Sequence, residues 1–344
     1  MVATMPTFVS HHLPGTGGRL AGADCEEVPR SLPGGGKGHV WVRTAKHDLS
    51  TQQCRAAIAR AVGIDAERVA TAGSRDRRGR CVQWFSIPED LVEHPQSLRN
   101  AGYQSKVKVL DVATHVKPID VVGVERLRWK ARLAGAAADD GYRRARAIVD
   151  HLRQVGCPNY VHASQLGDDA QFARWGRMLL EGKRLPAAVA ATGVTPGRCL
   201  YAAQFGLFNR WLARRVEDGL LGRCLPGDVL RSVRGEDAVA TDQLEHWQKR
   251  MESWEVTPQG PLFGEAMPPA AGEALAREEA ILAEAGLDAE AVRRLQGGRR
   301  AARIQPGKAL VDIDGKDLLV SCELPVDAYL AVVMEEIAKP EGHF

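Results

Sequence analysis

One carboxylate, Asp76, stands among Arg75, Arg77, Arg78 and Arg80 in the stretch Thr71-Ala-Gly-Ser-Arg-Asp-Arg-Arg-Gly-Arg-Cys-Val-Gln-Trp-Phe-Ser-Ile87. Catalytic groups concentrate on loops held by a rigid sheet, and four arginines around such a loop attract a polyanion such as an RNA backbone. The flanks Arg68–Ala72 and Cys81–Ile87 are rich in β-branched, aromatic and small residues, which predicts two strands, with Gly73 and Gly79 bounding the loop between them. Two readings of Asp76 are open at this level. It is a reactive group presented at strand ends, or it only neutralises its neighbours and shapes the turn.

The elements that would carry this loop can be read in chain order. Gly and Pro over residues 14–38 predict loops and short extended pieces. His39–Thr44 alternates like a strand, and Thr51–Gly63 spaces Ile58, Ala61 and Val62 like a helix. Further strands are expected at Lys106–Ala113 and Val124–Leu133, the second with its arginines and lysines on one face, where they could follow phosphates. Helices are expected over Ala138–Val155, Gln171–Glu181, Ala271–Gly286 and Asp288–Leu295, with a linker over 182–197. Thr257-Pro-Gln-Gly-Pro-Leu-Phe-Gly264 reads as a rigid loop. Residues 308–323 read as a hairpin turning at Asp314-Gly315, and a last helix should open near Tyr329 with Asp327 as its cap. Strands interspersed with helices predict an α+β architecture with helices packed on a sheet.

Composition narrows the class. The chain has 344 residues, 26% of them charged and 44% hydrophobic, as expected of a globular protein of one large or two ordinary domains. Net charge is only +3, but arginine clusters at 75–80, 126–132 and 143–146 while acid gathers after 264, so a polyanion surface would be built from the first half. The seven cysteines are scattered without a Cys-x-x-Cys pair, the pattern of reduced thiols in a cytoplasmic protein and not of a zinc site. Residues 1–13 lack the features of a signal peptide, and no run is long enough to span a membrane.

The segment Ala72-Gly-Ser-Arg-Asp-Arg77, followed by Gln83-Trp84, resembles the signature Gly-x-Lys-Asp-Arg/Lys-x-Ala-x-Thr-x-Gln of the TruD family of tRNA pseudouridine synthases. Further stretches match in order. Pro158-Asn-Tyr160 and Gly167 agree with the family's Pro-Asn-Tyr-Phe-Gly-x-Gln-Arg-Phe-Gly, with Val161 in place of its aromatic and Gln165 in place of its arginine. Leu207-Phe-Asn209 and Pro226-Gly-Asp228 resemble parts of the family's inserted domain, as does Gly260-Pro-Leu-Phe-Gly264. Arg19–Pro29 superposes on the family's first motif with Arg19 for its lysine, Asp24 for its aspartate and Cys25 for its aromatic.

The resemblance implies a pseudouridine-synthase-like, mixed and mainly antiparallel sheet with flanking helices, plus an inserted α+β domain. Residues 1–184 with 304–344 would be the catalytic domain and 185–303 the insertion. It implies that Asp76 is the catalytic carboxylate, and that Arg19, Arg75, Arg77, Gln83, Asn159 and Tyr329 contact the substrate. Arg19 would supply a cation near Asp76, Asn159 would orient a carboxylate or a uracil edge, and Tyr329 would stack on the base. Each has a plainer alternative: a surface arginine, a turn asparagine, a core aromatic. His162 reads as a surface or packing residue. The implied reaction isomerises uridine in tRNA, at position 13, without metal, nucleotide or redox cofactor, in a monomer. The eroded motifs also suit an RNA-binding homologue without isomerase activity, or a synthase acting on another RNA.

Overall fold

A computed structural model describes residues 8–75, 77, 79–99, 106–120 and 123–339. Its first elements are β1 (Arg19–Pro29), β2 (His39–His47), α1 (Thr51–Val62), β3 (Ala70–Thr71), β4 (Arg80–Pro88), α2 (Pro95–Arg99), β5 (Val107–His115) and β6 (Val124–Ala134). Next come α3 (Gly141–Val155), β7 (Cys157–Pro158), α4 (Gln171–Leu180), α5 (Ala187–Ala190) and α6 (Pro196–Glu217). β8 (Val229–Ser232), β9 (Asp237–Val239), α7 (Leu244–Glu252), β10 (Val256–Leu262), α8 (Gly272–Glu284), α9 (Ala289–Val292), β11 (Gly298–Ala301) and β12 (Arg303–Ile304) follow. The last elements are β13 (Gly307–Asp314), β14 (Asp317–Pro325) and α10 (Leu330–Ala338). Among the described residues no helix is long and apolar enough to cross a membrane.

Two compact units share these elements, one formed by residues 18–142 and 307–327 and the other by the remaining described residues. The first is built on a sheet in the order β13-β14-β6-β1-β4-β2-β5, with β3 paired to β4. Every pairing in it is antiparallel except β1 with β4, where Cys25 lies opposite Cys81 and Glu26 opposite Val82. This is the mixed, mainly antiparallel sheet expected. β4 is buried along nearly its whole length, as a strand covered on both faces must be. On one face Val40, Val42, Phe85 and Ile87 pack with Ile58 of α1 and Leu98 of α2. On the other, Trp41, Trp84, Ile119 and Leu127 form a second cluster. Each such side chain contributes about 1.5–3 kcal/mol on burial.

Local signals set the ends of α1. Ser50 accepts from the Gln53 N–H while Gln53 accepts from the Ser50 N–H, and Gly63 at φ +73° stops the helix in the left-handed conformation. Other expectations fail for non-local reasons. The strand β1 runs through a segment whose Gly and Pro predicted loops, because β6 and β4 on either side pair with its backbone and so override weak propensity. The expected strand at 68–72 shrinks to Ala70–Thr71, with a single 3-10 turn over Ala66–Arg68 before it. The helix α10 starts later than expected, with Tyr329 and not Asp327 at its N-cap and no side-chain cap bond, since Val326 and Asp327 are taken up in a turn after β14 and Tyr329 is still extended.

In the larger unit β11-β10-β8-β9 form a four-stranded sheet and β12 pairs with β7. The stretch Thr257–Gly264, expected as a loop, is mostly β10. Gly260 is required there by packing: a Cβ would come within 2.3 Å of Trp211 and 2.7 Å of Phe208, both on α6. The turn at Pro226-Gly-Asp228 is held by a buried ion pair, with Arg215 donating to both Asp228 carboxylate oxygens at 2.8 and 2.7 Å.

Candidate active site

The loop between β3 and β4 is clamped at its base by Gln83, which projects from β4 and is fully buried. The Gln83 Nε2 donates to Thr71 Oγ1 at 3.0 Å and to the Gly73 carbonyl at 2.9 Å, while its Oε1 accepts from Thr51 Oγ1 at 3.1 Å. Both amide hydrogens are thereby engaged inside the protein. Thr51 Oγ1 also accepts from the Arg75 N–H at 3.0 Å, so one hydroxyl at the start of α1 ties the loop to the helix. Gly73 and Gly79 sit at φ +106° and +78°, and a Cβ on Gly79 would lie 2.4 Å from the Ala23 carbonyl oxygen. A side chain at either position strains this route.

The next residue, Arg75, turns inward. Its Nε is 2.8 Å from Glu27 Oε1, with the side chains 11% and 0% exposed, although neither atom makes an aligned hydrogen bond. Two more guanidinium nitrogens donate to the Ala72 and Ser74 carbonyls, at 3.3 and 3.2 Å. Glu27 comes from β1 and also accepts from the Trp84 N–H at 2.8 Å. Burial pushes the Glu27 carboxyl above its ordinary value, opposed by the Arg75 charge and by the hydrogen bond from the Trp84 N–H. Sequence reasoning missed Glu27. The signal available was an acid at an inward position of a strand, but that strand was itself not foreseen. Asp76 and Arg78 lie outside the described residues.

The other predicted residues of this unit are more open. Arg77 is exposed and donates through Nε to the Asp48 carbonyl at 3.1 Å. Arg19 is exposed at the start of β1, opposite Ala134. It is four residues before Ala23, where Gly79 passes the strand, or about 13 Å along the backbone. Asp24 accepts from the Arg80 N–H at 3.3 Å and closes the loop onto β1. Beside the loop, Ala21, Gly22, Asp24, Gly79, Lys130 and Ser321 line part of a groove of about 440 Å³. On the basic face of β6, expected to follow phosphates, two of the four cations are charge-compensated: Arg128 meets Glu26 and Glu323 at 3.2 and 3.1 Å, and Arg132 meets Asp314 and Asp317.

Asn159 and Tyr329 belong to the larger unit, where the structure gathers them around an arginine that the sequence did not single out. Asn159 follows β7 and is 2% exposed. Its N–H donates to the Ala302 carbonyl at 2.9 Å. Arg300 of β11 donates through Nη2 to the Asn159 Oδ1 at 2.8 Å and through Nε to its carbonyl at 3.1 Å. The same guanidinium lies 5.6 Å from the Phe208 ring centre and 6.0 Å from that of half-buried Tyr329. Two residues on, Val161 is held at both backbone groups by Asn209 of α6, at 2.9 and 2.8 Å. His162 is near Tyr329, ring centres 6.2 Å apart, and its Nδ1 is 2.9 Å from Ser164 Oγ.

This arrangement has two chemical capacities. Arg77 and Arg80, exposed on the loop of the first unit, suit a polyanion, and in the larger unit a buried amide beside a half-buried aromatic ring suits a flat heterocycle. The fold is that of a mixed, mainly antiparallel α+β protein, and comparison with known proteins gives the family. A crystal structure from Methanosarcina mazei, described as tRNA pseudouridine synthase D (TruD), superposes with a TM-score of 0.75 over 98% of this chain and 97% of that one, at 17% identity, a likeness of fold. The family model for tRNA pseudouridine synthase D (TruD) matches residues 6–191 and 199–337. The tRNA pseudouridine synthase D of Anaeromyxobacter sp. (strain Fw109-5) is 33% identical over 96% of this chain and 95% of its own length. The protein of the same name from Thermus thermophilus is 28% identical over 97% and 92%. The chain belongs to the TruD family of tRNA pseudouridine synthases.

Proposed function

We propose that this chain isomerises uridine to pseudouridine at position 13 of tRNA with Asp76 as the catalytic carboxylate. The observation that carries the reading is the family match, which runs through the Asp76 loop and both halves of the chain. The reaction breaks the bond from ribose C1′ to uracil N1, turns the base, and joins C1′ to C5. The C5 proton is lost and N1 gains one, so atoms balance without an external reactant. Ionised Asp76 acts as nucleophile or as base in this sequence, at the sugar or at the uracil ring. The target base must leave its stack to be reached.

The rest of the division of labour belongs to the same proposal, and the geometry of the loop supports part of it. Gln83, Thr51 and Glu27 hold the loop, with Arg75 as their internal counter-ion. Arg77 and Arg19, both exposed, meet phosphates, and Tyr329 and Asn159 contact the base. Residues 185–303 act as the inserted domain closing over RNA, and the enzyme works as a cytoplasmic monomer without a cofactor. The test is tritium release from C5-labelled uridine in a tRNA transcript, with product mapped by position. Wild type should release tritium from position 13, and Asp76→Asn should release none while binding the transcript normally. Full activity in Asp76→Asn would refute the role of that residue, and binding without product by the wild type would leave only an RNA-binding reading.

A further inference from the structure

The carboxamide of Asn159 is held in one orientation, and the group that holds it is Arg300. A guanidinium can only donate, so the atom 2.8 Å from Arg300 Nη2 is the amide oxygen. A flipped amide would set N–H against N–H. The orientation is reinforced by the second bond, Nε to the Asn159 carbonyl at 3.1 Å, and by the Asn159 N–H on Ala302. The Asn159 Nδ2 is therefore turned away from Arg300. It is buried and has no hydrogen-bond partner among the described residues. A buried amide donor without an acceptor is an uncommon and unfavourable arrangement, which an arriving acceptor would relieve. The Tyr329 ring next to the same guanidinium supplies a flat surface on which a heterocycle bearing that acceptor would lie.

We propose that Arg300 is a positioning residue that fixes Asn159 as a pure donor, so that Asn159 reads a carbonyl oxygen of the extruded uracil. The proposal rests on the reading of Asn159 and Tyr329 as base contacts and adds its polarity. Uracil carries acceptors at both C2 and C4, whereas cytosine carries an amino donor at C4. A locked donor accepts the first and opposes the second if it faces C4, a source of base specificity that a free asparagine, which can turn either way, does not provide. The charge on Arg300 also polarises the amide and strengthens its N–H as a donor.

The test couples protein and substrate changes. Transcripts carrying uridine, 2-thiouridine or 4-thiouridine at the target are assayed for kcat/KM by chromatography of the released nucleosides, since sulfur accepts hydrogen bonds poorly. One thio substitution should lower kcat/KM of the wild type roughly tenfold, the worth of one buried hydrogen bond. In Arg300→Met, which starts lower on uridine, the same substitution should make little further difference, while Arg300→Lys, which keeps one donor, should recover part of the sensitivity. Asn159→Asp retains the contact with Arg300 and lacks the donor. It should melt no lower than wild type yet lose the sensitivity to sulfur, a result that a merely structural role for Arg300 would not produce. Equal thio effects in wild type and Asn159→Asp, or a wild type indifferent to both thio substitutions while turning over uridine, would overturn the proposal and leave the pseudouridine-synthase reading standing. A wild type without product on any tRNA would end that reading, and this one with it.

Discussion

Replacing Arg75 by Met separates an internal role for this arginine from a phosphate-binding one. The substitution keeps most of the side-chain volume and removes the cation 2.8 Å from Glu27, whose side chain is 0% exposed. Breaking one partner out of a buried pair costs about 3–5 kcal/mol, which for a chain of this size lowers the melting temperature on the order of 10 °C. The pH dependence has a definite sign. Glu27 is already raised above its ordinary value by burial against the pull of Arg75, and without Arg75 it rises further. An acid whose folded pKa exceeds its unfolded one makes the unfolded chain the first to release its proton. The variant should therefore be most stable in acid and lose stability as pH climbs above the ordinary carboxylate value, more steeply than wild type. Adding Glu27→Gln should restore most of the loss and flatten the profile, since Gln still accepts from Trp84. Urea unfolding at several pH values, with tRNA affinity at several salt concentrations, reads both roles. If Arg75→Met melts like wild type and lowers the slope of log affinity against log salt by about 1, Arg75 meets a phosphate and the internal assignment is wrong.

Three other outcomes follow from the same geometry. Gln83→Leu removes the three hydrogen bonds at the base of the loop, about 3 kcal/mol at roughly 1 kcal/mol each; with Asp76 in the role proposed for it, initial rates should fall well beyond what the melting shift explains, because a misplaced loop misplaces its side chains. Gly260→Ala puts a methyl 2.3 Å from Trp211 and should destabilise the chain by about 1–3 kcal/mol in a denaturant titration. His151 is held below its ordinary value of 6.5 by burial and by neighbouring His12. Below that value the unfolded chain gains a proton that the folded one resists, so stability falls as pH drops. His151→Gln should flatten the decline in urea midpoint between about pH 7 and pH 5.

Elements whose signals are local were legible. The helix α1 stopped by Gly63 and the β13–β14 hairpin around Gly315 are each written within a few residues, and each was readable because short-range sterics and hydrogen bonds decide it; the Thr195 cap with Pro196 at the head of α6 falls instead in the stretch read as a linker. β1 was not legible, since its strand character comes from β6 and β4, more than fifty residues away in sequence. The same division runs through the site. The Asp76 loop announces itself by composition, but Arg75, which looks like its surroundings in sequence, is withdrawn from solvent by an acid on another strand.

What the sequence by itself determined is the family and the class of sheet and helix, because those are properties of residue type, order and short spacing. Only the tertiary structure decided which polar groups face one another. Gln83 became a clamp for the loop, and Asn159 acquired its orientation from Arg300, 141 residues further along. The physical reason is that a buried polar group must find its partner wherever the fold brings one, and the distance along the chain carries no trace of that meeting.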